Sequence, residues 1–245
     1  MRIAAVSDIH GNLPALDAVL ADIDGRGVDL IVNLGDILSG ALLPRETANR
    51  LMALDLPTIS GNHERQVLYM DPAEMGASDR HARETITQAQ RDWIAALPPV
   101  LRPTVDVFMC HATPQNDVDC YLEDIVDGEL RPAALHSIEE RTGACDASLI
   151  LCGHSHIPRL VRLSSGQLIV NPGSVGIQAY EGHHPAPHVV EIGSPHGRYA
   201  ILESSSRGWM AEFIAVPYDW DCAARLALQR GREDWVLALR TGFVR

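Results

Sequence analysis

The side chains able to do chemistry are concentrated in Asp8-Ile9-His10, Gly35-Asp36, Gly61-Asn62-His63-Glu64, the isolated His111 and Gly153-His154-Ser155-His156. Together they offer carboxylate oxygen, amide oxygen and imidazole nitrogen, and no thiolate. That donor set suits manganese, iron or zinc in a reactive centre better than a sulfur-bound structural ion. There are enough donors for two cations. A pair of divalent ions sharing a carboxylate clamps the attacking and leaving oxygens of a phosphoryl displacement and makes hydroxide available near neutral pH. The pair also supplies a positive field, which a chain of formal net charge −12 otherwise lacks.

The pieces differ in weight. By composition alone, an Asp-x-His triplet is expected roughly once in a chain like this, Gly-His-x-His in roughly one chain in 25, and Gly-Asn-His-Glu in roughly one in a thousand. The longer motifs therefore carry the argument, and their placement adds to it.

Each stretch follows a short apolar run. Ile3–Val6 reads as a strand that stops at Ser7-Asp8, and Leu13, Leu16, Val19, Leu20 and Ile23 then recur at helical spacing. Leu30-Ile31-Val32 ends at Gly35-Asp36, and a helix begins near Pro44, a favoured first-turn residue, with Leu51, Met52 and Leu54 inward. Leu56–Ile59 reads as a third strand, followed by a polar helical region from about Asp79 to Leu97. Pro98–Pro103 reads as a proline-rich turn, Val105–Cys110 as a strand ending at His111, Leu130, Leu135 and Ile138 as a helical pattern, and Leu149–Cys152 as a strand ending at Gly153. Loops at the carboxyl ends of strands in an α/β sheet gather along one edge, where ligands bind. Beyond Pro158 the pattern changes to short β-runs, Arg159–Leu163, Gln167–Val170, His188–Ile192, Tyr199–Leu202 and Met210–Val216. Amphipathic helices over Asp219–Arg230 and Glu233–Arg240 follow, separated by Gly231. Their apolar face is free to dock on the chain itself or on a second subunit, so the oligomeric state is open.

At 245 residues, with 46% hydrophobic and 21% charged content, the chain is long enough for a sizeable core and ordinary for a folded protein. No basic cluster interrupts the acidic balance, so a nucleic-acid groove is not expected, whereas a small phosphorylated substrate is compatible. Cys110, Cys120, Cys145, Cys152 and Cys222 are odd in number and lack C-x-x-C spacing, which reads as reduced thiols. No signal peptide or membrane span is visible, and a cytoplasmic location is expected.

In their order and spacing, the motifs of residues 8 to 156 resemble the metal-binding blocks of the calcineurin-like metallophosphoesterases. The run Asn171-Pro172-Gly173-Ser174-Val175 is similar to one in the bacterial phosphodiesterase branch. The resemblance implies an α/β fold, a four-layer α-β-β-α sandwich of two packed mixed sheets with a dinuclear metal site at the strand C-terminal edge. The expectation is a single domain over 1–245, with 204–245 a C-terminal strand and helical extension packed on it. The resemblance also implies roles: Asp8, His10 and His156 on one ion, Asp36 bridging, and Asn62, His111 and His154 on the second, most readily Mn2+, with Fe or Zn as alternatives. Asn62 and His63 would contact the phosphate, and His63 would protonate the leaving alkoxide opposite an attacking hydroxide held between the ions. A small phosphate ester, more a phosphodiester than a protein phosphoserine, is the expected substrate. A phosphomonoesterase, a dinucleotide-polyphosphate hydrolase and a non-catalytic scaffold are the alternatives for the same residues.

One departure bears on substrate. In the protein-phosphatase branch the Gly-Asp block continues to a second aspartate that pairs with the catalytic imidazole, and here Ser39 stands in that place. Glu64 or solvent is left to orient His63. Asn12 reads as a helix cap with substrate contact as the alternative, and Arg65 as a solvated residue with contact to a substrate anion as the alternative. Glu181–His188, with three histidines and two prolines, reads as a solvated loop. Ser174 lacks the spacing of a nucleophile elbow and reads as part of a tight turn beneath the metal loops.

Overall fold

In the computed structural model, which describes residues 1–245, the chain begins with β1 (Arg2–Val6), α1 (Leu13–Asp24), β2 (Leu30–Asn33), α2 (Pro44–Leu54) and α3 (Asn62–Tyr69). It continues through α4 (Ala77–Thr85), α5 (Gln88–Ala95), β3 (Val100–Thr104), β4 (Val107–Cys110), β5 (Glu123–Val126), β6 (Glu129–Pro132), α6 (Leu135–Thr142) and β7 (Leu149–Leu151). β8 (Arg159–Arg162), β9 (Leu168–Asn171), β10 (Ala179–Gly182), β11 (His188–Glu191), β12 (Gly197–Ser205), β13 (Gly208–Val216), α7 (Trp220–Gln229) and α8 (Glu233–Thr241) complete it.

Two mixed sheets stack face to face, ordered β13-β12-β1-β2 and β3-β4-β7-β9-β8. The strands that lead to the site, β1 with β2 and β4 with β7, pair in parallel, so their carboxyl ends lie along the same edge. Side-chain alternation builds the layers. Ile3 and Ala5 of β1 meet Val107, Met109, Leu149 and Val170 between the sheets. Ala4 and Val6 turn the other way, onto Leu16, Val19, Ala48, Val67 and Ile94 from the first helices. The far face of the second sheet, with Ile150 and Ile169, is covered by Ile138 of α6. Burial on both faces explains why these strands read as continuous apolar runs.

Several expectations are corrected. Leu56–Ile59 is not a full strand: Thr58 makes one isolated bridge to Asn33, beside Pro57, which lacks an N–H for a ladder. The helical region from Asp79 breaks into α4 and α5, because Thr87 and Gln90 form a capping box that starts a new helix. The pattern through Leu130 is a hairpin of β5 and β6 turned at Asp127-Gly128, both at positive φ (54° and 78°), and only α6 is helical. Pro98–Pro103 overlaps β3, an edge strand with a register shift before Thr104, a place where proline is tolerated. A third small sheet, ordered β10-β11-β6-β5, is added to the two expected.

The α7–α8 pair docks on its own chain. Ala223, Ala224, Ala227, Trp235, Ala238 and Leu239 pack on Ala41, Leu42, Ile177 and Ala179. Leu239→Ala is therefore expected to lower the unfolding free energy by about 2–5 kcal/mol in a urea titration. No helix is long and apolar enough to cross a membrane.

Candidate metal centre

The site is built from backbone that is hard to hold. Asp8, His10, Asp36, His154 and His156 all adopt left-handed φ, between 50° and 68°. Each such residue costs on the order of 1–3 kcal/mol, and clusters of them mark functional loops. Glycines make room for the resulting crowding. A Cβ on Gly61 would lie 2.2 Å from Asp36 Oδ1, and one on Gly153 2.0 Å from Ser7 Oγ and 2.8 Å from Asp8 Oδ2. Ser174 serves beneath: its Oγ donates to the Asp8 carbonyl at 2.8 Å and accepts from the N–H groups of Gly176 and Ile177.

These loops bring the predicted residues into two groups, Asp8 with His10 and His156, and Asp36 with His111 and His154. Within each group the ligand atoms lie within 4.8 Å of one another. Asn62, the first residue of α3, joins the second group, its Oδ1 3.1 Å from His154 Nδ1. His63 stands beside the cage, its ring centroid 5.3 Å from that of His10.

The ring nitrogens fit a cation. His10, His111 and His156 each direct Nδ1 at a backbone carbonyl, of Ser39, Leu34 and Ile177, at 2.7, 2.7 and 2.9 Å. A carbonyl only accepts, so Nδ1 carries the proton and Nε2 of the neutral ring holds a lone pair. The Nε2 atoms of His10 and His156 then face each other at 3.1 Å, lone pair to lone pair. Nε2 of His111 is buried without a hydrogen-bond partner, 3.1 Å from Asp36 Oδ2 and 4.0 Å from Asp8 Oδ1. In His154 the roles invert: Nε2 donates to the Val118 carbonyl at 2.9 Å, leaving Nδ1 to face the Asn62 oxygen. Acceptors turned on acceptors are repulsive unless a positive charge lies between them. The carbonyl-fixed tautomers are the outer-sphere partners that metal-binding imidazoles need.

Titration behaviour records the same conflict. Burial alone would raise the Asp36 carboxyl, yet His111, His63 and His10 hold it well below the usual range. Burial would lower His111, but Asp36 and Asp8 push it up to about 10, so without a cation a proton on Nε2 would take its place against Asp36. Burial, with His156 for His10 and His111 for His154, pushes those two rings down to about 4.

Sequence reasoning missed the partner of His63. His63 Nδ1 lies 2.7 Å from Asp79 Oδ1, and Asp79 is buried in the first turn of α4. Against burial, Asp36 and Asp79 raise the His63 ring to about 9. Glu64, the expected candidate, faces elsewhere: its carboxylate accepts from the N–H groups of Asp36, Ile37 and Gly61 at 2.8–2.9 Å. Glu64→Ala would orphan three buried donors, and unfolding free energy is expected to fall by at least about 3 kcal/mol in chemical denaturation.

Asn12 caps α1 through Ala15 N and donates to the Gly176 carbonyl, and Arg65 pairs with Asp117; neither lines the cavity over the cage. That cavity, about 460 Å³, is walled by Tyr180 and Glu181 of β10, by His183 just beyond it, and by Arg232, Asp234 and Trp235 at the start of α8. The His-rich tract is thus only partly solvated, since His183 lines the cavity and His188 is buried against Tyr180. A larger cavity of about 670 Å³ lies between the β5–β6 turn and the β10–β11 hairpin, shares Glu181 and His183 with the first, and contains none of the candidate metal ligands.

Comparison with known proteins agrees with this geometry. The calcineurin-like phosphoesterase superfamily domain matches residues 1–193. The chain is 27% identical to an uncharacterized protein of Methanocaldococcus jannaschii over 96% of this chain and 95% of that one. The crystal structure of a metallophosphoesterase from Sphaerobacter thermophilus superposes with a TM-score of 0.74 at 24% identity, covering 98% of each chain. The chain belongs to the calcineurin-like phosphoesterase superfamily and is a metal-dependent phosphate ester hydrolase.

Proposed function

We propose that the chain hydrolyses a small phosphodiester with two divalent ions, manganese by preference, in the cage just described. Asp8, His10 and His156 would hold one ion and Asn62, His111 and His154 the other, with Asp36 between them. When bound, the ions place positive charge on the phosphoryl oxygens and lower the pKa of water. The chain's own part is to orient and to move a proton. His63, at the open side of the cage, delivers its proton to the departing alkoxide, and Asp79 fixes the ring and its tautomer.

The observation that carries this reading is the set of imidazole nitrogens aimed at one another and at carboxylate and amide oxygens in two groups, a convergence that two cations satisfy. A diester is favoured because no unpaired arginine lines the cavity over the cage: the one arginine there, Arg232, is held by Asp234. A doubly charged monoester would want such a cation. Five unpaired cysteines suit the reducing cytoplasm.

With added Mn2+, the purified protein is expected to hydrolyse bis(p-nitrophenyl) phosphate faster than p-nitrophenyl phosphate. Faster turnover of the monoester would overturn the diester assignment, and turnover of neither would overturn the function.

A further inference from the structure

We propose that a second cavity, formed where the α7–α8 turn meets α4 beside the metal cage, is a subsite for a second phosphate group. It measures about 310 Å³, and its walls carry Arg80, His81, Arg230 and Arg232 against one carboxylate, Glu84. In a chain of net charge −12 this is a local reversal of sign.

The arginines differ in what they have left to offer. Arg232 is engaged, with Nε and Nη2 on Asp234 and Nη1 on Ser78 Oγ at 3.0 Å. Neither Arg80 nor Arg230 is ion-paired: Arg80 Nη2 donates to the Met75 carbonyl at 3.2 Å, and Arg230 Nη1 to Nε2 of His81 at 2.6 Å. Burial, together with Arg230 and Arg232, holds His81 below its ordinary value, so its Nε2 accepts and adds no competing proton. Gly231, at φ 70°, makes the turn that puts Arg230 and Arg232 into the same cavity. Two guanidiniums held together without a carboxylate for Arg230 leave Coulomb energy that a phosphate would recover. The first residue of α4, Ala77, also lines the cavity, and this helix start has no side-chain cap. Its N-terminal dipole adds to the same field.

Arg232 lines this cavity and the one over the cage, so the two share a wall. The substrate class that fits both is a phosphate ester bearing a second phosphate away from the reacting one. This assignment rests on the proposed phosphodiesterase reading for the reacting phosphate, and the charges themselves do not depend on it. The residues involved lie outside 1–193 for Arg230 and Arg232, so the C-terminal extension would set specificity.

The test compares two chromogenic diesters, the p-nitrophenyl ester of thymidine 5′-phosphate and the same compound with a 3′-phosphate. The wild type is expected to prefer the second by at least about tenfold in kcat/KM, as one charge-assisted contact would give. Arg230→Ala and Arg80→Ala, on separate elements, should each abolish most of that preference. In a second arm, inorganic phosphate is titrated into the zinc-loaded, diamagnetic protein while the Nε resonances of Arg80 and Arg230 are followed. Saturable shifts without a substrate preference would support the subsite with free phosphate as its occupant. Shifts without turnover of any ester would support it while sinking the diesterase reading. Equal kcat/KM for the two esters together with unmoved arginine resonances would overturn the proposal.

Discussion

Replacing His63 with alanine is expected to lower kcat for an alkyl phosphodiester by about 10²–10⁴, the range of a lost general acid, while bound metal stays unchanged. The loss should depend on the leaving group. A p-nitrophenolate departs with little protonation, so the same variant should lose much less on bis(p-nitrophenyl) phosphate. A merely structural role for the ring would slow both substrates alike.

Asp79 extends the same argument. It contacts the ring at Nδ1 and is proposed to act by positioning, so Asp79→Asn should reproduce the leaving-group pattern in milder form. The sign of its pH effect follows from the raised value of about 9 for His63. In the proposed general-acid role the acid form is the active one, so activity falls as pH rises through the value the ring has with cations bound, which lies below about 9. Removing the Asp79 charge lowers it, and the alkaline limb moves to lower pH. Bound cations pull the ring in the same downward direction, which makes the carboxylate more necessary. An unmoved alkaline limb in Asp79→Asn, measured with an alkyl diester, would contradict this.

The second large effect is expected at Asp36. Its carboxylate lies 3.1 Å from His111 Nε2, and its Oδ1 also accepts the His63 N–H at 3.0 Å. Asp36→Asn keeps the shape and removes the charge that the two ions of the proposed cage would share. Metal content by elemental analysis should fall from about two ions per chain to one or fewer, and kcat by about 10³ or more, since each ion contributes several kcal/mol. Manganese should raise the Tm of the wild type by mass action and lose most of that effect in the variant. Retention of both ions with full activity would remove Asp36 from its bridging role.

What could be read from the sequence was whatever is local in the chain. Asp8, Asp36, His111 and His154 each follow an apolar run by a few residues, and the parallel pairing of β1 with β2 and β4 with β7 turns that into shared space. Gly61 reads from the sequence as a turn only glycine can make, yet its backbone is extended (φ −99°), and what it requires, as Gly153 does, is no Cβ against a neighbouring carboxylate, which is a tertiary fact. The β5–β6 hairpin was announced by Asp127-Gly128 and overlooked because Leu130, Leu135 and Ile138 happen to fall at helical spacing.

Asp79 was not legible. It lies 16 residues beyond His63, on a separate helix whose packing alone brings it to the ring. No pattern around it distinguishes it from an ordinary first-turn carboxylate. The same holds for Arg232 and Trp235, which reach the cavity because the alanine-rich face of α7 and α8 docks on Ala41, Leu42 and Ile177. The sequence pattern allowed that face to meet this chain or another, and only tertiary packing distinguishes the two.

The most direct measurement is an anomalous difference map from crystals grown with saturating manganese. Two peaks are expected about 3.5–4 Å apart, one among Asp8, His10 and His156, the other among Asn62, His111 and His154, with Asp36 reaching both. An empty cage, or manganese bound elsewhere with these imidazoles unligated, would contradict the two-ion assignment from which the rest follows.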